Sequence, residues 1–182
     1  MFDKKLTLFR NEITAAENCY YLHKTIHLMI GNDNDLYAEV NKNSLFGNSV
    51  LSTTQVSLFI TLGRIFDKDN SSFSVLNLLK DCNRHKDLFT KSQLELRKRT
   101  HLSPENAAAY VKDMPEELAT DEEFEFLKKQ VESCKDIFDK NYKPLRNKIF
   151  GHKDISYIGR ERELFSQTMV GEIEAILICL IG

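Results

Sequence analysis

Apolar residues recur along this chain at alternating spacings of three and four, the period of one face of an α-helix. Leu6, Phe9, Ile13, Ala16, Tyr20 and His23 form the first such stripe, with Cys19, Leu22, Ile26 and Met29 beside it. The pattern predicts one long helix that ends at GNDND. A second long helix is predicted over about 44 to 66, through Val50, Leu51, Val56, Phe59, Ile60, Leu62 and Ile65. DKDNSS stops it, because Asp, Asn and Ser side chains compete for backbone hydrogen bonds. A third helix is predicted over roughly 72 to 89, through Val75, Leu76, Leu78 and Leu79. KSQLELRKRTHLSPENAAAYVKDMP predicts one or two short helices about a hinge at Ser103 and Pro104. Thr120 and Glu123 have the spacing of a capping box ahead of Phe124, Leu127, Val131, Cys134 and Phe138, so a further helix spans 120 to 142. Pro144 lacks an N–H and disfavours helical geometry in the residue before it, which predicts that the run is interrupted or restarted there. A last helix is predicted from about 160 to the end, with Leu164, Phe165, Met169, Ile173, Ile176, Leu177 and Leu180 on its apolar side.

These stripes predict an all-α, up-and-down bundle of four or five main helices. At 182 residues, 42% hydrophobic and 29% charged, the chain is expected to form one domain over 1 to 182. Three prolines and seven glycines agree with long helices rather than a turn-rich sandwich. No internal repeat or low-complexity segment interrupts the pattern. The formal charge of -2 argues against a protein that coats nucleic acid by charge alone, so a nucleic-acid partner has to be met locally. One local patch exists. Lys80, Arg84, Lys86, Lys91, Arg97, Lys98 and Arg99 outnumber Asp81, Asp87 and Glu95, leaving residues 80 to 101 at +4 before His85 and His101 are counted. The run either tracks a phosphate backbone or is a solvated face balanced by the acidic DMPEELATDEEFE.

Cys19, Cys82, Cys134 and Cys179 are scattered without a CxxC pair, as suits buried thiols in a reducing cytoplasm. Charges break the apolar positions of the first residues every few positions, so no signal peptide is expected there. EAILICLIG has about half of the roughly 20 residues needed to cross a bilayer and is expected to be a core helix that ends, or is cut, at residue 182. The reading is therefore cytoplasmic, with no membrane partner.

Candidate chemistry gathers in PLRNKIFGHKD, residues 144–154, which carries Arg146, Asn147 and His152. Histidine has an unperturbed pKa of about 6.5 and both takes and gives a proton at cellular pH. Arginine keeps its charge and presents a planar fork that fits phosphate oxygens. Together they suit phosphodiester chemistry: a base for a ribose 2′-hydroxyl, an acid for the leaving 5′-oxygen, and a cation for the developing charge, in a scheme that needs no metal or cofactor. Six residues at about 100° each place Arg146 and His152 roughly 120° apart on an ideal helix. Either the backbone bends at Gly151, or the site is assembled from two copies across a two-fold axis.

Other clusters carry weaker signals. His23 and His27 have the four-residue spacing of a helical metal pair, but no glutamate completes HExxH, and packing histidines at the edge of the first stripe are favoured. A place in the same cleft as Arg146 is the other alternative. Arg64 and Asp67, three apart, predict a structural ion pair. Ser and Cys triads and Gly-rich phosphate loops find no support.

An Arg-Asn pair, four further residues and then His near a late helix resembles the signature of the HEPN superfamily. LGRIFDKDNSSFSVLNLL similarly resembles the AbiU-like abortive-infection branch, with an Arg and Asp closing the second helix before a Ser-rich start to the third. The resemblance implies a helical bundle that dimerises with its Arg/His motifs facing each other, and metal-independent endoribonuclease activity in toxin or antiphage systems. Under it, Arg146 holds the scissile phosphate, His152 is the general acid or base, and Asn147 is the polar residue after the arginine. Lys143, Lys148, Arg97, Lys98 and Arg99 are the candidate RNA contacts. The implied partners are RNA, single-stranded or in a loop, a second copy of the chain, and an antitoxin or sensor protein. The alternative is a catalytically silent HEPN module that binds nucleotide, RNA or a partner protein.

Overall fold

The computed structural model describes residues 2–69, 72–151 and 155–181. Its architecture is all-α, and the β contact among the described residues is an isolated bridge between Thr90 and Glu117. Helix α1 (Phe2–Asn32) buries Ile13, Ala16 and Tyr20 from the predicted stripe. α2 (Asn34–Lys42) was not evident in the periodicity and buries no residue. Asp33 caps it by accepting from the N–H groups of Asp35 and Leu36, both at 2.9 Å. α3 (Ser44–Ile65) follows the second stripe and buries Leu58, Phe59, Leu62 and Ile65.

The third helix is shorter than its pattern. α4 (Val75–Arg84) starts at the Ser74 cap and ends at His85, and a 3-10 turn at Lys86–Phe89 carries the chain on. α5 (Lys91–Lys98) and α6 (Pro104–Val111) sit on either side of the expected hinge, with Ser103 capping α6 and Pro104 in its first turn. α7 (Asp121–Ile137) opens with the full capping box, Thr120 and Glu123 each bonding the other's backbone N–H.

Two expectations fail at the C-terminal end. Pro144 does not break the run: Phe138–Tyr142 widens to a π-helical winding, α8 (Lys143–Leu145) crosses the proline, and Arg146–Gly151 is π-helical again. Lys143 N–H bonds the Phe138 carbonyl five residues back, so the wider turn absorbs the register shift that a proline forces on an α-helix. The predicted last helix is two, α9 (Glu161–Phe165) and α10 (Val170–Ile181). Between them Ser166 and Thr168 hydroxyls donate to the carbonyls of Glu163 and Phe165, each at 2.8 Å, the local competition that ends helices.

Packing follows the stripes. α1 lies along α3, α7 bridges α4 and α10, and α10 closes back on α1. Ala16, Leu62, Ile65, Leu145 and Ile176 are fully buried at the centre, and each buried branched side chain is worth about 1.5–3 kcal/mol. A second cluster of Leu78, Cys82 and Phe124 takes in Phe2 and Phe89 at the other end. By length and composition α3 is apolar enough to cross a membrane, yet its C-terminal half forms the centre of this core. The Arg64–Asp67 pair does not form. Arg64 donates instead to Glu12 on α1, at 2.7 and 3.0 Å, and Asp67 accepts from the N–H of Asp69.

Candidate functional site

A row of aromatic rings fixes the segment that carries the motif. Phe150 stacks on Phe59 at 5.5 Å, Phe59 on Tyr142 at 5.7 Å, and Phe138 lies beside both Tyr142 and Phe66. Each such pair adds about 0.5–1.5 kcal/mol beyond its buried area, so the row clamps the widened helix onto α3. Tyr142 is also held by its hydroxyl, which lies 2.7 Å from the Met169 carbonyl and 2.8 Å from Glu172 and accepts from Met169 N–H. Asn141 donates to the same Glu172 carboxylate. The start of α10 is thereby tied to the turn that precedes the motif.

The winding itself depends on Gly151. A Cβ there would lie 2.9 Å from the Arg146 carbonyl oxygen, closer than backbone atoms tolerate. Glycine thus permits the i to i+5 approach that holds Arg146–Gly151 in its π-helical shape.

Arg146 follows Leu145, which is completely buried, and its guanidinium lies flat against α3 at Gly63. Nη1 donates to Asn147 Oδ1 at 2.9 Å, so Asn147 holds one corner of the fork. Nε is buried, and among the described residues it has no hydrogen-bond acceptor. An unpaired donor on a permanently charged group is unfavourable in a folded interior. His152 lies outside the described residues.

The lysines beside the motif are engaged. Lys143 pairs with Asp139 at 3.2 Å; Lys148 donates to the Tyr157 hydroxyl at 2.6 Å with its ammonium 4.0 Å from the ring centre. The second basic group packs elsewhere. α5 lies chiefly on α6 and the 86–89 turn, whereas Arg146–Gly151 lies on α3 and α8. Arg97 donates to the Leu88 carbonyl, Arg99 to Glu95, and Lys98 sits 4.2 Å over Tyr110. Lys86 pairs with Asp121 and Lys91 reaches Glu116, so the acidic stretch neutralises part of the run.

His23 and His27 pack edge to face, 4.6 Å between ring centres. Nδ1 of His23 bonds the Leu51 carbonyl and the Thr54 hydroxyl, which joins α1 to α3. Burial, and then the neighbouring His27, push His23 down and favour its neutral form. Both rings line a cleft of about 510 Å³ with Phe59, Tyr142, Phe165 and Met169. Arg146 does not line that cleft, although Phe59 and Tyr142 stand one helical turn from Gly63 and Arg146. Burial pushes the Cys82 thiol up to about 11 and the Cys134 thiol, beside Cys179, up to about 12. Both stay protonated and are not nucleophiles.

Sequence reasoning found Arg146 and Asn147 but not Gly63, Tyr142 or Phe59, which hold them. The one signal for Gly63 was a glycine inside an otherwise apolar helix. The AbiU2 family of HEPN domains matches residues 1–180. No curated protein and no solved structure gives a significant match. With nearly the whole chain matched, this protein belongs to the AbiU2 family of the HEPN superfamily.

Proposed function

We propose that this chain is a metal-independent endoribonuclease of an abortive-infection or toxin system, acting in the cytoplasm on single-stranded or looped RNA. The observation that carries the reading is the Arg146 guanidinium, anchored through Asn147 and seated on the α3 surface at Gly63. The guanidinium N–H groups that do not face α3 meet a phosphodiester oxygen. In the reaction, a base takes the proton of the ribose 2′-hydroxyl, and the 2′-oxygen bonds to phosphorus. The bond from phosphorus to the 5′-oxygen breaks, and an acid protonates the leaving oxygen. The products are a 2′,3′-cyclic phosphate and a 5′-hydroxyl. His152 performs proton transfer, and Arg146 stabilises the charge that grows on the phosphate. In this reading two copies pair across a two-fold axis so that their motifs face each other. Lys143 and Lys148 extend the contact to the RNA backbone beside the motif, and the Arg97 to Arg99 group on α5 offers a separate basic surface to a longer strand.

The test incubates purified protein with end-labelled RNA in EDTA, beside His152→Ala, Arg146→Lys and Asn147→Ala. Cleavage by the wild type in chelator is expected, with a rate loss of about 10²–10⁴ for His152→Ala and largely preserved RNA affinity. Arg146→Lys fails too, since a point charge does not reproduce the fork, and Asn147→Ala is milder. A folded, dimeric His152→Ala protein that cuts at the wild-type rate refutes the assignment. RNA binding without cleavage makes this a silent module.

A further inference from the structure

We propose that Gly63 is the positioning residue for Arg146: the missing side chain at 63 makes a seat on α3 that sets which way the guanidinium faces. A Cβ at 63 would lie 2.8 Å from Arg146 Nε, 3.3 Å from Cδ and 3.4 Å from Cζ. All three atoms belong to the side chain that carries the charge. Gly63 is buried within α3, between Leu62 at 0% exposure and Ile65 at 0%. Glycine inside a helix is less stable than alanine, so this position gives up helix stability and receives the close approach of Arg146 in exchange.

The surroundings leave one way to accommodate a methyl group. The backbone of α3 is held by Leu62 and Ile65, both fully buried, and that of Arg146 by Leu145 and Tyr142, at 0% and 1% exposure. The arginine side chain is the movable partner. A methyl group at 63 therefore lifts the guanidinium off α3, strains its bond to Asn147 Oδ1 and turns Nε away from its present direction. The fold survives while the cation is misaimed. The functional half of this inference rests on the ribonuclease reading; the seat itself does not.

The experiment is a double-mutant cycle on the full chain with Gly63→Ala, Arg146→Ala and the double variant. Gly63→Ala is expected to leave Tm level or lower it in the wild-type background and to raise it in the Arg146→Ala background, where the methyl group meets no guanidinium. Equal Tm changes in both backgrounds overturn the seat. The Nε–Hε resonance of Arg146 is expected to move in Gly63→Ala, and an unmoved resonance also overturns it. In cleavage assays Gly63→Ala is expected to lower kcat by about 10²-fold, the cost of a displacement near 1 Å, with KM within about twofold. If the resonance moves and cleavage stays at the wild-type rate, Gly63 shapes packing but not the reaction, and the positioning role is refuted. A wild type that does not cut RNA in EDTA sinks the ribonuclease reading instead, while the thermal cycle and the resonance still decide the seat.

Discussion

Asp139 lies where α7 runs into the widened winding, and three lysines converge on its carboxylate. Lys135 contacts it directly, Lys68 lies at 3.0 Å and Lys143 at 3.2 Å. Burial alone would push the carboxyl up. Hydrogen bonds from Lys135, Lys68 and Lys143 outweigh that effect and hold it at about 2, against 3.8 for a free aspartate. Nearly two units at about 1.4 kcal/mol each make the ionised carboxylate worth about 2 kcal/mol to folding at neutral pH. Asp139→Asn removes this contribution and also takes the paired charge from Lys135, a residue only 7% exposed. Breaking one partner of a buried pair costs about 3–5 kcal/mol, a figure reduced here because the Lys68 and Lys143 side chains keep 64% and 38% of their exposure. The expected loss is about 2–4 kcal/mol, or roughly 5–15 °C in Tm for a chain of this size. The pH dependence has a definite sign. A carboxyl depressed in the folded state stabilises above its unfolded value near 3.8, and the stabilisation fades as pH falls toward 2. Urea melts of wild type and Asp139→Asn at pH 7, 4, 3 and 2 should therefore show a gap that is widest at pH 7 and closes in acid. A gap that is the same at every pH, or under about 0.5 kcal/mol at pH 7, would refute the reasoning.

Gly151→Ala should destabilise by about 1–3 kcal/mol, because its methyl group would meet the Arg146 carbonyl and neither backbone yields cheaply; a melt unchanged from wild type would show that the winding does not need the glycine. Tyr142→Phe keeps the ring stack with Phe59 but deletes the hydroxyl between Met169 and Glu172, for an expected loss of about 1–3 kcal/mol in urea titrations. Stability equal to wild type would mean that this hydroxyl does not hold the start of α10.

What was legible in the sequence is what repeats locally. α1, α3 and α7 each bury an apolar stripe long enough to reveal its period, and the Thr120 to Glu123 box fixes where α7 begins. α2 escaped because it buries no residue fully, and its half-buried Leu36 and Val40 are too few to reveal a period. Its only mark is Asp33, which sits in the same GNDND that closes α1: one polar residue serves as the end of one helix and the cap of the next. α4 looked longer than it is because Phe89 is apolar on account of the second cluster, which it reaches from a 3-10 turn rather than a helix. At Pro144 the local rule was sound and lost to packing. Tyr142 and Leu145, on either side of the proline, are both completely enclosed, and a wider winding keeps them there at lower cost than breaking the helix.

The same distinction runs through the candidate site. Arg146 and Asn147 could be singled out as residue types, since a guanidinium and an amide are legible in any sequence as candidate phosphate-binding groups. Their aim could not, because it is set from α3, and no period or spacing connects residue 63 to residue 146. Glycine at 63 was visible as a weak point in a helix and unexplained until Arg146 was found against it. A residue defined by having no side chain leaves no pattern of its own. Its role lies in what the neighbouring helix places in the space, which is why the seat for the cation belongs to the fold and the cation to the sequence.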